Sequence, residues 1–553
     1  MPVIERRIGL LFLAFCALLV FAGARAVQLG GLKGRSLRQK ADSQQVSKVP
    51  VPARRGTITD RKGMELAVSE PADDIAVTPY LIKDPAKAAR RLAPLLHQPL
   101  DAVLHKVAQR GTGFVYLGRQ LPASQGQRIG KLHMAGVQLI PSSRRIYPQR
   151  WMAAQLLGAV GTDGGGLSGL EYTRDRVLRG TDGERRLVKD ALGQPISLSD
   201  VEPARPGQEV RLTLDAAIQD KVESVLQQVG QKFSPRGATA VVIDPRTGAI
   251  MALANWPRVD ADNLTGAPAF ARQNRAIGST YEPGSTFKAF TVAGALMDRK
   301  VTPATPFNVP PQLQVADRTL HDAHDHGYEM LTVAQILAQS SNIGAAMIGM
   351  RDGRTRFDHW VRTFGFGKPT GIDLSGEEAG IVPQLKQYSG SSMGNLPIGQ
   401  GLAVTPIQMA AAYSAIANGG ILRPPHVIQR VGDRRLQTPR GHRIISAATS
   451  AQLRSMLEGV LGPGGTASEA SIPGYRLAGK TGTAQKPDPV KGGYSNDKFV
   501  ASFVGFAPAR HPRLLVTVMV DEPHGEIYGG VVAAPAFQDI TKFALPYLGI
   551  PPS

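Results

Sequence analysis

The stretch Glu282-Pro-Gly-Ser-Thr-Phe-Lys-Ala-Phe290 decides how this 553-residue chain is read. Pro283 and Gly284 mark a helix start, and the residues after them are helix-compatible. Ser285 and Lys288, three residues apart, then share one helix face. A serine hydroxyl alone is a weak nucleophile, but a desolvated, unprotonated lysine beside it can take its proton. Ser-x-x-Lys occurs often by chance, so the rest of the chain has to give it meaning.

Two further short motifs follow in order. Ser340-Ser-Asn342 lies inside Leu337-Ala-Gln-Ser-Ser-Asn-Ile343 and read alone is a polar helix N-cap. Lys480-Thr-Gly-Thr483 follows Tyr475-Arg-Leu-Ala-Gly479 and reads as a strand whose interior Gly482 would let a ligand backbone approach closely. Read alone it is a surface turn. In this order the three match the set S-x-x-K, Ser-x-Asn and K-T-G of penicillin-binding proteins and β-lactamases.

The texture around these motifs suggests one antiparallel sheet covered by helices. Val210 to Leu214 alternates like a strand, and Asp215 is a good N-cap for a helix over Ala216 to Gln231. Ala238 to Ile243 and Ala249 to Ala254 flank the turn residues Asp244-Pro-Arg-Thr-Gly248, which predicts a hairpin. Phe499 to Phe506 and Leu514 to Val520 predict another, with a long helical run between the two strand groups. Upstream, the strand-like run Asp74 to Thr78 and helical stretches Asp84 to His97 and Leu100 to Gln109 read as an irregular α+β domain, with Pro203 to Gly207 as its boundary. The expected division is a cytoplasmic tail (1–7), a membrane anchor (8–29), a polar stalk (30–52), a pedestal domain (53–207) and a catalytic domain (208–553).

The N-terminus sets the compartment. Ile8 to Ala24 are uncharged and mostly apolar. As a helix they rise roughly 26 Å against a bilayer core of about 30 Å, which snorkelling of Arg7 and Arg25 and continuation to Leu29 would close. Arg6 and Arg7 keep the N-terminus inside and send the rest outward. Ala24-Arg-Ala26 leaves a cleaved signal peptide as the alternative. The net charge of +20, from 64 basic and 44 acidic residues, is spread along the chain, and no zinc-finger or RNA-recognition signature is present, so nucleic acid is not an expected partner. The single cysteine, Cys16, lies in the apolar run and excludes an intramolecular disulfide, a cysteine zinc site and a cysteine nucleophile.

The chain resembles the class B penicillin-binding proteins over nearly its whole length. Arg54-Arg-Gly-Thr-Ile-Thr-Asp-Arg-Lys-Gly63 is similar to the motif that opens their non-catalytic domain. Arg144-Arg-Ile-Tyr-Pro148, Gly166-Leu-Ser-Gly-Leu-Glu171, Gly399-Gln-Gly401 and Tyr528-Gly-Gly530 also resemble the family's pattern, and Tyr547-Leu-Gly-Ile-Pro-Pro552 looks like the septal, FtsI-type branch. No glycosyltransferase domain precedes Arg54 and no PASTA repeats follow.

The resemblance implies an α+β penicillin-binding transpeptidase fold behind a single transmembrane helix and a pedestal domain. It implies Ser285 as nucleophile, Lys288 as its base, and Ser340 and Lys480 as a proton relay to the leaving D-Ala. Asn342 would hold the donor amide, and Thr481, Gly482 and Thr483 would bind the donor's end. The implied substrates are peptidoglycan stem peptides ending in D-Ala-D-Ala, with β-lactams as covalent inhibitors and no metal or organic cofactor. The implied partners are a SEDS-family glycosyltransferase and other divisome membrane proteins at the cell membrane. An elongation-specific transpeptidase, a D,D-carboxypeptidase, a β-lactamase and a non-catalytic β-lactam sensor are the alternatives. No Glu-x-x-Leu-Asn stands in the chain to serve a β-lactamase.

Three other features invite chemistry and are read as plain structure. His321-Asp-Ala-His-Asp-His326 has no helical period and is expected to be a solvated loop, not a metal site. Gly164-Gly-Gly166 lacks the strand–loop–helix context of a phosphate loop. The basic segment Arg430 to Arg443 is expected to be a solvated face or hairpin.

Overall fold

The computed structural model describes residues 2–29, 46–189, 195–488 and 492–552. They pack as two compact units, and each unit draws on separated stretches of chain. The first comprises Met1–Arg54, Pro71–Arg144 and Gly180–Gly207; the second comprises Arg55–Glu70, Arg145–Arg179 and Gln208–Ser553.

In the first unit, helix α1 (Pro2–Val27) contains the span Arg7–Val27, with a mean hydropathy of 2.4. Among the described residues it is the one helix long and apolar enough to cross a membrane. Of the expected stalk, residues 30–45 lie outside the described residues, and Val46–Val51 form a strand. That strand pairs antiparallel with residues 183–188, which pair in turn with Pro195–Glu202. A separate core gathers Ile75, Val77, Leu92, Leu96, Val103, Leu117 and Ile129. The helix Pro85–Leu96 starts where expected because the Asp84 carboxylate accepts from Lys87 N at 2.9 Å and Pro85 gives up no needed donor.

The second unit is built on a five-stranded antiparallel sheet of β1 (Gly237–Ile243), β2 (Ile250–Trp256), β3 (Ala478–Pro487), β4 (Tyr494–Ala507) and β5 (Leu514–Asp521), in the order β2-β1-β5-β4-β3. Both expected hairpins are present, with Ile243 opposite Ile250 and Ala507 opposite Leu514. The strands read as near-continuous apolar runs because both faces are covered. Ala238, Ala240 and Val242 face Val222 and Leu226 of α2 (Ala216–Phe233) and Phe537 of the C-terminal helix. Val241 and Ile243 enter the larger core with Phe287, Phe290 and Tyr413.

Three helices in that larger core matter for the site: α3 (Lys288–Met297), α4 (Val333–Gln339) and α5 (Asn342–Asp352). The start of α3 is clamped by rings. Phe290 sits 4.8 Å from Phe364, 5.0 Å from Phe366 and 5.1 Å from Tyr413, centroid to centroid, and Tyr413 Oη donates to the Thr286 carbonyl at 2.6 Å.

The upstream motifs meet on one carboxylate. Glu171 is fully buried and accepts from Arg55 Nε at 2.5 Å and Arg145 Nε at 2.7 Å, while Arg55 Nη1 reaches Asp175 at 2.6 Å. The Gly164–Gly166 stretch serves the same knot: the Gly164 carbonyl accepts from Arg55, and a side chain on Gly166 would overlap the Glu171 backbone. Removing one member of such a buried set strands the others' charge. Glu171→Gln is expected to lower the stability of the second unit by about 3 kcal/mol, read as a shift in the denaturant midpoint. An unchanged midpoint would contradict the assignment.

Candidate active site

Ser285 does not lie on a regular α-helix with Lys288, as the spacing suggests. Gly284–Phe287 is a 3₁₀ turn, and Lys288 opens α3 behind it. With about three residues per turn, a 3₁₀ segment aligns positions i and i+3, so the two side chains still leave on one side. The turn is braced from below by Gly399, whose carbonyl accepts from Gly284 N at 3.0 Å. A side chain on Gly399 (φ +83°) would overlap the Gly284 carbonyl, which gives the Gly-Gln-Gly stretch a steric cause.

Lys288 has no solvent exposure. Its Nζ donates to the Ser340 carbonyl at 2.6 Å, to Asn342 Oδ1 at 2.7 Å and to Ser340 Oγ at 3.3 Å. Ser340 can meet it because the chain breaks there: Ser340 ends α4 in the left-handed region (φ 64°), and Ser341 caps α5 by accepting from Gly344 N at 2.9 Å. The middle serine is thus the N-cap, and the residues on either side of it turn toward Lys288. Burial pulls the Lys288 amine down to about 7, while the negative charge of Asp322 holds it up.

Lys480 is likewise fully buried, and its Nζ donates to the Thr481 carbonyl at 3.2 Å and Oγ1 at 3.4 Å, not to Ser340. Burial, then the neighbouring charge of Lys288, hold it well below the ordinary lysine range. It lies on β3, an edge strand of the sheet among the described residues, so one side of Lys480-Thr-Gly-Thr483 is free to pair with an extended peptide. The Thr481 hydroxyl meets Thr466 at 2.8 Å, and Thr483 Oγ1 accepts from Gly529 N at 3.0 Å, leaving its own proton to donate outward.

Gly482 has a steric role inside the protein: a side chain there would overlap Ser502 Oγ and come within 2.9 Å of the Pro283 carbonyl and of Thr286 Cγ2. Gly529, in Tyr528-Gly-Gly530, is equally tight against the Gly482 carbonyl from another side. These glycines let β3 close onto the Ser285 turn.

The comparisons with known proteins agree with this geometry. Residues 238–542 match the penicillin-binding protein transpeptidase domain, and residues 50–212 match the penicillin-binding protein dimerisation domain. The chain is 32% identical to the peptidoglycan D,D-transpeptidase FtsI of Escherichia coli K12, covering 99% of this chain and 93% of that one. This is a class B penicillin-binding protein. It is also 35% identical to the stage V sporulation protein D of Bacillus subtilis, covering 98% and 86% of the two chains. A crystal structure of penicillin-binding protein 3 of Mycobacterium tuberculosis with aztreonam superposes with a TM-score of 0.72 at 31% identity, covering 91% of this chain and 98% of that one. Its activity is that of a serine D-Ala-D-Ala transpeptidase acting on peptidoglycan, on an α+β penicillin-binding fold.

Within this class B penicillin-binding protein, the His321–His326 segment is the loop expected, with His321, Ala323, His324 and Asp325 exposed, but two of its side chains turn inward. The side chains of Asp322 and His326 are only 10% and 13% exposed and 3.1 Å apart, and Asp322 caps the start of α5. No local signal marks Asp322 as a helix cap, because the groups it caps stand about twenty residues downstream. Among the described residues no cluster of His, Cys, Asp or Glu is placed to hold a metal ion. The basic segment does form a short hairpin, Arg430 opposite Arg435, with Arg430 paired to Glu209.

Helices α3 and α5 each carry a site residue at one end and a carboxyl group at the other. Asp298, just past α3, accepts from Arg356 Nε at 2.8 Å and Trp360 Nε1 at 2.9 Å, and it shares a hydrogen bond with Asp352, the last residue of α5. Burial, then Asp298, push Asp352 up to about 7, while Asp298 is held low by Arg356. The folded state therefore keeps a proton that the unfolded chain releases near pH 4, and stability falls as pH rises from about 4 to about 7. Asp352→Asn has no such proton to lose. Its stability relative to wild type is expected to rise across that window, by up to about 4 kcal/mol at pH 8, measured by thermal unfolding at several pH values. A pH-independent difference would contradict this.

Gly482→Ala tests the packing account. It is expected to leave the protein folded while slowing penicillin acylation at least tenfold, on the order of 1.4 kcal/mol, because β3 must move off the Ser285 turn. A variant with the wild-type rate would refute it.

Proposed function

We propose that this transpeptidase makes septal cross-links through an acyl-enzyme on Ser285. The observation that carries the reading is Lys288: a fully enclosed amine, held by Ser340 and Asn342, whose proton affinity is tuned to about 7. At neutral pH a large share is unprotonated and able to accept the Ser285 proton.

Ser285 attacks the penultimate D-Ala carbonyl of a donor stem peptide lying along β3. Backbone N–H groups of Ser285 and Thr483 stabilise the developing oxyanion. Thr483, and Thr481 with Lys480, receive the terminal carboxylate, whose charge raises the proton affinity of Lys480 beside it. Lys480 and Ser340 then pass a proton to the departing D-Ala, and Asn342 holds the donor amide. An amine from a second stem peptide attacks the acyl-enzyme and restores Ser285. A β-lactam enters the same path and stays attached.

Helix α1 is the single-pass anchor, with Arg6 and Arg7 on the cytoplasmic side and the catalytic unit outside. The septal assignment follows the FtsI-like ending and the FtsI relative, with the sporulation relative at similar identity. The partners are a SEDS-family glycosyltransferase and other division-site membrane proteins, to be checked by co-purification from membranes.

Labelling with a fluorescent penicillin, followed by peptide mass mapping, is expected to place a stable adduct on Ser285 that Ser285→Ala lacks. The labelling rate should rise with pH through a midpoint near 7, as Lys288 loses its proton. An adduct elsewhere, or a rate flat across that range, would refute the mechanism. A fluorescent fusion is expected at mid-cell; side-wall localisation would replace the septal role with elongation.

A further inference from the structure

Asp322 belongs to none of the three motifs, yet four hydrogen-bonding groups converge on its carboxylate. Oδ1 accepts from the N–H of Asn342 and from the N–H of Ile343 at 3.0 Å. Oδ2 accepts from Ser341 Oγ at 2.7 Å and lies 3.1 Å from His326 Nε2. The two N–H groups are donors that the first turn of α5 leaves without a helical partner, and a negative charge there is favoured by the helix dipole. The next-door backbone completes the hold: Asn342 Nδ2 donates to the His321 carbonyl at 3.0 Å, which turns Asn342 Oδ1 toward Lys288. One short segment therefore fixes Asn342 by its main chain and by its amide.

His326 is held by chemistry on both sides. Its Nδ1 is 2.6 Å from the Gly327 carbonyl and its Nε2 faces the Asp322 carboxylate. Both neighbours only accept, so a neutral ring with one N–H leaves one contact unmade, and the imidazolium satisfies both. Glu329 adds a further negative charge, and His326 is correspondingly raised above its ordinary range.

We propose that Asp322, braced by His326, is a positioning residue for acylation, holding the Ser340–Asn342 turn in the geometry that receives Lys288. It rests on the roles proposed above for Ser285, Lys288 and Asn342. Asp322 also acts at a distance, because its charge is the one that keeps the proton on Lys288 against burial.

The test is the rate of fluorescent-penicillin labelling of the full-length protein, followed over about pH 5 to 9. Asp322→Asn keeps the shape, but it removes the charge and presents an amide nitrogen where an acceptor is needed. It is expected to label at least about tenfold more slowly, with the rate midpoint displaced to lower pH because Lys288 loses the charge that holds its proton. Asp325→Asn, at an exposed neighbour, should match wild type in both. A slow variant with an unmoved midpoint would mean a merely structural residue, and a wild-type rate would mean none at all; either overturns the proposal. Should Asp322→Asn fail to fold, His326→Ala decides: it removes one of the four partners and is expected to slow labelling about threefold to tenfold, and a folded variant at the wild-type rate overturns the proposal. If wild type itself forms no adduct on Ser285, the parent mechanism fails first, and this inference with it.

Discussion

An amine sealed from water has to find every hydrogen-bond partner inside the protein, and Lys288 is such an amine. Its hydrogen bonds go to Ser340 and Asn342, so the break between α4 and α5 has to sit where Nζ ends. That break needs Ser340 in the left-handed region and Ser341 as a cap, and the cap needs the Asp322 loop behind it. The rings around Phe287 and Phe290 then fix where α3 starts. Much of the catalytic unit can be read as the packing that one buried nitrogen requires.

A second buried lysine makes the first more useful. Lys480 lies near enough for the two charges to disfavour each other, and each is also short of solvation. Two buried ammonium groups near one another are costly, so the pair favours neutral amines.

Closeness elsewhere is a matter of missing side chains. Gly399 lies under the Ser285 turn, Gly482 against Pro283 and Thr286, and Gly529 against Gly482. At each point a methyl group would overlap main chain or a packed side chain. Motifs separated by more than a hundred residues thus meet as one steric unit, just as Arg55, Arg145 and Glu171 meet as one electrostatic unit.

The motifs to which the proposed chemistry is assigned were legible in the sequence because they are short fixed spacings: Ser285 with Lys288, Ser340 with Asn342, and the Lys480–Thr483 strand. The hairpins of the central sheet were legible too, since turn residues and apolar runs are local signals, and the cap at Asp215 acts within a few residues of itself. What escaped was set by contacts that no local pattern encodes. The sequence could not say that Gly482 makes room for Pro283 and Ser502, that Lys480 turns to Thr481 rather than Ser340, or that Asp322 turns inward from its loop to cap a helix. Local spacing determined which groups are present and in what order; which of them are buried, and against what, was decided only when distant segments packed, because desolvation and steric exclusion depend on neighbours in space.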